Sequence, residues 1–112
     1  MEHAPIRYLM TAIVQEQDVD VVERALDVLG VPITHLASTG GFLGRRNSTL
    51  FIGLPEDLNE KALATLQKFC RQRVEYLAIP LEGSPLPLST PVPITVGGAT
   101  VFTIPVERYE EI

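Results

Sequence analysis

A chain of 112 residues, 46% apolar and 21% charged, has the size and composition of one globular domain and is unlike a disordered or low-complexity protein. Its formal charge of −5, with nine Lys and Arg against fourteen Asp and Glu, argues against a surface built for the phosphate backbone of DNA or RNA, so an anionic ligand has to be met locally. The opening "MEHAPIRYLM" has no basic region followed by an apolar core of signal-peptide length, and no run reaches the roughly 18 apolar residues of a membrane span, so a soluble cytoplasmic protein without membrane insertion is expected.

In chain order, "IRYLMTAIVQ" places Ile6, Tyr8, Met10, Ala12 and Val14 on one face of a first strand. Asp18 is a suitable N-cap for a helix in which Val19, Val22, Leu26 and Leu29 recur at spacings of three and four, and Gly30 suits the left-handed turn that ends it. "ITHLAS" and "STLFIGL" read as two antiparallel strands around a connector. "DLNEKALATLQKFC" carries a capping-box-like pair, Asp57 and Glu60, before the stripe Leu58, Ala62, Leu66 and Phe69 of a second helix. Cys70 falls in this apolar rhythm and reads as a buried structural thiol; as a lone cysteine it cannot form an intrachain disulfide. "RVEYLAI" is a fourth strand. "PLEGSPLPLSTPVP" holds five of the nine prolines and reads as a long irregular loop. "PITVGGATVFTIPV" reads as a hairpin turning at Gly97 and Gly98.

The expected fold class is therefore α+β: a ferredoxin-like βαββαβ unit in a single domain over residues 1–112, with an added C-terminal hairpin. Two helices cover one sheet face. Several strands are apolar on the other face as well, which calls for a subunit partner.

Catalysis lacks its parts. The only histidines are His3 and His35, there is no C-x-x-C or G-x-S-x-G pattern, and the carboxylates near Glu16, Asp18 and Asp20 or in the tail suit solvated faces and helix termini, so neither an enzyme nor a metal site is expected. The connector "STGGFLGRRNST", residues 38–49, is different in kind. Gly40 and Gly41 can turn backbone N–H groups toward an anion, Arg45 and Arg46 add charge, Phe42 offers a stacking face, and Asn47 carries the donor and acceptor that pair with an adenine edge. Together these describe a nucleotide clamp. The same residues also suit a plain connector, with the glycines as a turn, Phe42 and Leu43 tucked into the core and the arginines solvated.

"AIVQEQD", "THLASTGGFL", "NSTLFIG" and "VGGATVFTIPVERYEEI" resemble, in the same order and over nearly the whole chain, the PII-like cyclic di-AMP receptors of bacteria, the PstA or DarA family. The resemblance implies a PII-like homotrimer of ferredoxin-like subunits with cyclic di-AMP in clefts between neighbours. It makes the connector after the second strand a small T-loop and the proline-rich segment a larger B-loop. Carried over position by position, it puts ligand contacts at Thr34, Thr39, Gly41, Phe42, Leu43, Asn47, Gly53, Gly97 and Gly98. The chain departs from the family where Pro32 replaces a common arginine two residues before Thr34, where "GRR" precedes the asparagine, so that Arg45 or Arg46 can compensate, and where the proline-rich loop is shorter. The implied function is signal transduction: cyclic di-AMP binding relayed by loop rearrangement to a protein target. The alternative is an interaction module with a degenerate site that binds another nucleotide or only a protein partner.

Overall fold

The computed structural model describes residues 5–37, 46–80 and 89–112. β1 (Tyr8–Gln15) leads directly into α1 (Glu16–Asp27); β2 (Ile33–Ala37) and β3 (Asn47–Leu54) follow. A short 3-10 turn at Glu56–Leu58 opens α2 (Asn59–Phe69), and β4 (Arg73–Pro80), β5 (Ser89–Val96) and β6 (Ala99–Pro105) complete the order. β2, β3, β1 and β6 form a four-stranded sheet in that order, every neighbour antiparallel, while β4 and β5 pair only with each other as a two-stranded ribbon.

The strand period of two divides the main sheet cleanly. Met10, Ala12 and Val14 of β1 and Leu50, Ile52 and Leu54 of β3 are fully buried, and they meet Val19, Val22 and Leu26 of α1 and Ala62 and Leu66 of α2 in one core. Each fully buried side chain of Leu, Val or Met size contributes about 1.5–3 kcal/mol, so this face carries most of the fold's stability. Cys70 closes the core at the end of α2; burial, with the nearby Asp18 carboxylate adding to it, pushes its thiol up to about 11.

The alternate residues line a face that no helix covers. Register places Leu9, Thr11 and Ile13 of β1, Thr34 and Leu36 of β2, Asn47, Thr49, Phe51 and Gly53 of β3, and Phe102 and Ile104 of β6 on it. Leu36 on one edge strand and Phe102 and Ile104 on the other are 59%, 58% and 53% exposed there, with Leu9, Ile13 and Phe51 between them among threonines.

Four local expectations are corrected. Asp18 is not the N-cap of α1, which begins two residues earlier with Gln15 at the cap position; Asp18 lies buried in the first turn, where its carboxylate is held by Arg73 instead of by the helix's own N–H groups. The Asp57–Glu60 capping box does not form, because the 3-10 turn takes Asp57 and leaves Leu58 at the cap position without a side-chain cap. Gly97 and Gly98 have positive φ, 84° and 90°, yet they join two sheets: β5 before them pairs with β4, and β6 after them pairs with β1. There is thus no C-terminal hairpin, and the strand that closes the core sheet beside β1 is the last one, β6.

The fourth correction concerns the proline-rich stretch, part of which is regular strand. Pro91 and Pro93 lie within β5, opposite Ala78 and Tyr76 in an unbroken ladder. A proline can sit in such a ladder only where its nitrogen faces away from the partner strand, so both prolines strip donors from the ribbon's outer edge at no cost to the pairing. The ribbon stands off the core: the radius of gyration is 18.2 Å, against about 13 Å for a compact domain near this length.

Candidate functional site

The described candidate residues gather at two places on the main sheet. The first lies where β1 ends and β3 begins. Gln15 and Asn47 are register partners, so their side chains stand side by side on the uncovered face, and the Glu16 N–H donates to the Arg46 carbonyl at 3.0 Å. Beyond them opens a cleft of about 520 Å³ between this corner, formed by Gln15, Glu16, Gln17 and Arg46, and the ribbon residues Glu75, Leu77, Ile94 and Val96. Arg46 is exposed there, but Glu16 and Glu75 line the same cleft, so its field on an anion is partly cancelled.

The root of the ribbon is fixed beside this corner. Arg73 Nη2 donates to Asp18 Oδ1 at 2.8 Å and Nη1 to Oδ2 at 3.5 Å, while Nε donates to Glu75 Oε1 at 3.1 Å. The bond to Asp18 is the main cause that holds the Arg73 guanidinium above its usual range. Gly97 N–H donates to Gln15 Oε1 at 2.7 Å, and Gly98 N–H to the Cys70 carbonyl. A Cβ at position 97 would lie 2.4 Å from the Arg71 carbonyl oxygen and 2.7 Å from Arg73 Nη1. Both glycines therefore serve the chain's own junction: their N–H groups are engaged within the subunit, and close approach of a ligand to their Cα atoms is what remains to them.

The second place is toward the other end of β3. Thr34 is opposite Phe51 on the uncovered face, and Gly53 N–H donates to the Pro32 carbonyl at 3.1 Å. A Cβ at Gly53 would meet Pro32 Cγ at 3.2 Å and Ile6 Cδ1 at 3.4 Å. The ring of Pro32 thus covers Gly53 where the resemblance expects an arginine. Next to it is a second cleft of about 580 Å³, walled by Ile6, Leu29, Val31, Pro32, Leu58 and Tyr109 among others. Six residues of extended strand separate Asn47 from Gly53, about 20 Å. Thr34, Asn47 and Gly53 share one face yet do not converge within one chain.

Thr39, Gly41, Phe42, Leu43 and Arg45, like Gly40, lie outside the described residues. Among the described residues no group of three or more His, Cys, Asp or Glu is placed to hold a metal ion. No described helix is long and apolar enough to cross a membrane.

Compared with known proteins, the sequence matches the cyclic-di-AMP receptor family over residues 7–112. The chain belongs to that family. Among solved structures it resembles a protein of unknown function from Pediococcus pentosaceus, at 32% identity and a TM-score of 0.76, over 97% of this chain and 100% of that one. It also has the fold of CPII from Thiomonas intermedia, a PII protein solved with ADP, AMP and acetate, at 17% identity and a TM-score of 0.56, over 91% of this chain and 89% of that one. The receptor family and the PII-like fold together make the chain a PII-like nucleotide-sensing protein.

Two further features hold the site. Gln15 is a lone carboxamide closing a face that is otherwise Leu9, Thr11 and Ile13, which is a local signal in the sequence. The Asp18–Arg73 pair, 55 residues apart, had none.

Proposed function

We propose that this receptor binds cyclic di-AMP in a cleft between adjacent subunits of a homotrimer and relays occupancy through its connector loop and the β4–β5 ribbon to a protein target. Asn47 reads an adenine edge, Phe42 stacks on the base, and Gly41, Leu43, Thr39 and an arginine, Arg45 or Arg46, complete the half that belongs to one subunit. Thr34 and Gly53 supply the other half from its neighbour. The observation that carries this reading is the placement of Thr34, Asn47 and Gly53 on one uncovered apolar face, about 20 Å apart between the ends of the set. A face with Leu36, Phe102 and Ile104 exposed needs a cover, and a second copy brings the two half-sites together in the same step. The role is binding, not catalysis, and a cytoplasmic location follows from the ligand class.

A second reading is favoured by Pro32, which removes a charge from one half-site, and by Glu16 and Glu75, which oppose Arg46 at the other. Here the chain is an interaction module with a degenerate site, for another nucleotide or for a protein alone. Calorimetric titration with cyclic di-AMP, cyclic di-GMP and ATP, alongside light scattering, separates the two. Saturable binding of cyclic di-AMP by a trimer supports the first; a trimer that ignores it supports the second; a monomer refutes the shared site.

A further inference from the structure

We infer that Gln15 is a positioning residue that ties the nucleotide site to the ribbon, an inference that rests on the proposed cyclic di-AMP reading. Gln15 is the last residue of β1 and the direct register partner of Asn47, on the same uncovered face. Its Oε1 accepts the Gly97 N–H at 2.7 Å across 82 residues of sequence. Gly97 is the first residue after β5, so this bond fixes the point where the ribbon returns to the main sheet.

The chemistry fixes the orientation of the side chain. A backbone N–H can only donate, so the carboxamide oxygen must face Gly97, and the two N–H donors of Nε2 point away from it. Gln15 also lines the cleft between Arg46 and the ribbon. One planar group therefore has its acceptor on the ribbon's root and its donors directed away from that bond, in a side chain that lines the candidate cleft. A ligand that draws those donors, or that moves Asn47 beside them, rotates the same plane that holds Gly97.

Gly97 has little freedom to absorb such a rotation. Its φ is +84°, the Arg71 carbonyl occupies the position its Cβ would take, and Gly98 N–H is bound to the Cys70 carbonyl. The only other described side-chain fastening at this root is Arg73, held on Asp18 and Glu75. With Arg73 fixed on β4, a shift at Gly97 displaces β5 relative to β4's anchor and changes the tilt of the whole ribbon. Gln15 is thus the adjustable fastening and Arg73 the fixed one.

The test uses the full chain and hydrogen–deuterium exchange with and without saturating cyclic di-AMP, with calorimetry on the same samples. In the wild type, ligand should alter exchange at Gly97–Gly98 and along β4 and β5. Gln15→Met keeps the side-chain length but loses the acceptor; it should raise exchange at Gly97 about ten-fold without ligand and abolish the ligand-dependent change in the ribbon, while binding persists. Gln15→Glu keeps an acceptor for Gly97 and should restore the ribbon's response at saturation, with or without some loss of affinity. A ribbon response in Gln15→Met equal to the wild type's overturns the inference, as does a wild-type ribbon indifferent to bound ligand. If the wild type does not bind cyclic di-AMP at all, the nucleotide reading fails and the coupling falls with it. Should Gln15→Met not fold, an unresponsive ribbon in well-folded, ligand-bound Gln15→Glu is the refuting result.

Discussion

Replacing Gly97 with alanine should be among the most damaging single-methyl changes available in this chain. An L-residue forced to φ near +84° loses about 1–2 kcal/mol before any contact is considered. The added Cβ would lie 2.4 Å from the Arg71 carbonyl oxygen, so one of the two backbones must retreat by roughly 1 Å. That retreat disturbs the Arg73 Nη1 bond to the same carbonyl and the Gly98 N–H bond to the neighbouring Cys70 carbonyl, each worth about 1 kcal/mol. The sum is about 3–4 kcal/mol, a large fraction of the 5–15 kcal/mol typical of a domain.

Two controls isolate the clash. Gly30 has φ +71° with nothing within 4 Å of a Cβ, and at Gly98, φ +90°, the nearest atom is Cγ of the exposed Gln72 at 3.1 Å, which can move aside. Gly30→Ala and Gly98→Ala should each cost only the conformational term, about 1–2 kcal/mol. Urea unfolding followed by circular dichroism, at one protomer concentration because assembly contributes to stability, gives all three values. If Gly97→Ala falls within about 0.5 kcal/mol of Gly30→Ala, the junction is not held as described.

Arg73→Met should cost about 2–3 kcal/mol, less than the 3–5 of a fully buried pair because Arg73 is one-third exposed, and Asp18→Asn in the same background should recover part of it; additive losses in that cycle would deny the pairing. Cys70, raised from 9.0 to about 11, is neutral in the native state at neutral pH and should resist iodoacetamide there. Because the folded value is the higher one, its contribution to stability is complete below pH 9 and is lost as pH rises through about 11, so alkaline unfolding should be delayed in Cys70→Ala; an unchanged alkaline midpoint counts against this. Asn47→Ala should weaken cyclic di-AMP binding by about 1–3 kcal/mol, and an unchanged isotherm would leave Asn47 a structural role only. The double variant Arg45→Ala, Arg46→Ala should bind more weakly at low salt with a gap that narrows as salt is added, and a salt-independent gap would point to lost packing.

What sequence could and could not show divides along the range of the interactions. The alternation through Met10, Ala12 and Val14 and the stripe Val19, Val22, Leu26 are short-range patterns, and they locate β1, α1 and the core. Gly97 and Gly98 were equally plain as positive-φ residues, but a Gly-Gly turn does not say which strands it joins; pairing is decided by the apolar strip of β6 finding β1, which no local signal records. Asp18 illustrates the same limit. An acidic residue at a helix start reads as a cap, and only the return of the chain 55 residues later supplies Arg73 and makes the carboxylate worth burying. At the site, Asn47 and Gly53 were named from their motif. Their common face follows from an even spacing of six on one strand, whereas the pairing of Asn47 with Gln15 and the contact of Gly53 with Pro32 required the register.

The register also bears on how the receptor copes with losing a cation. Pro32 accepts the Gly53 N–H on its carbonyl and lays its ring where a side chain at position 53 would go, so position 53 itself is closed by backbone and apolar contact. Its neighbouring cleft combines apolar walls from Ile6, Leu29, Val31 and Leu58 with the carboxylates of Asp57 and Glu111, a lining that disfavours a phosphate. Positive charge stands at both ends of β3: exposed Arg7, whose N–H donates to the Leu54 carbonyl at 2.8 Å, near Gly53, and Arg46, tempered by Glu16 and Glu75, near Asn47. Under the proposed reading one subunit brings the edge-reading amide of Asn47 with Phe42 and Arg45 or Arg46, and its neighbour brings Thr34 and Gly53 with the Pro32 ring packed on the glycine. Such a division makes affinity depend on assembly as much as on any single contact. Neither half is complete on its own chain, because Asn47 lies about 20 Å along β3 from Gly53, beyond the span over which one chain could bring both to the same base.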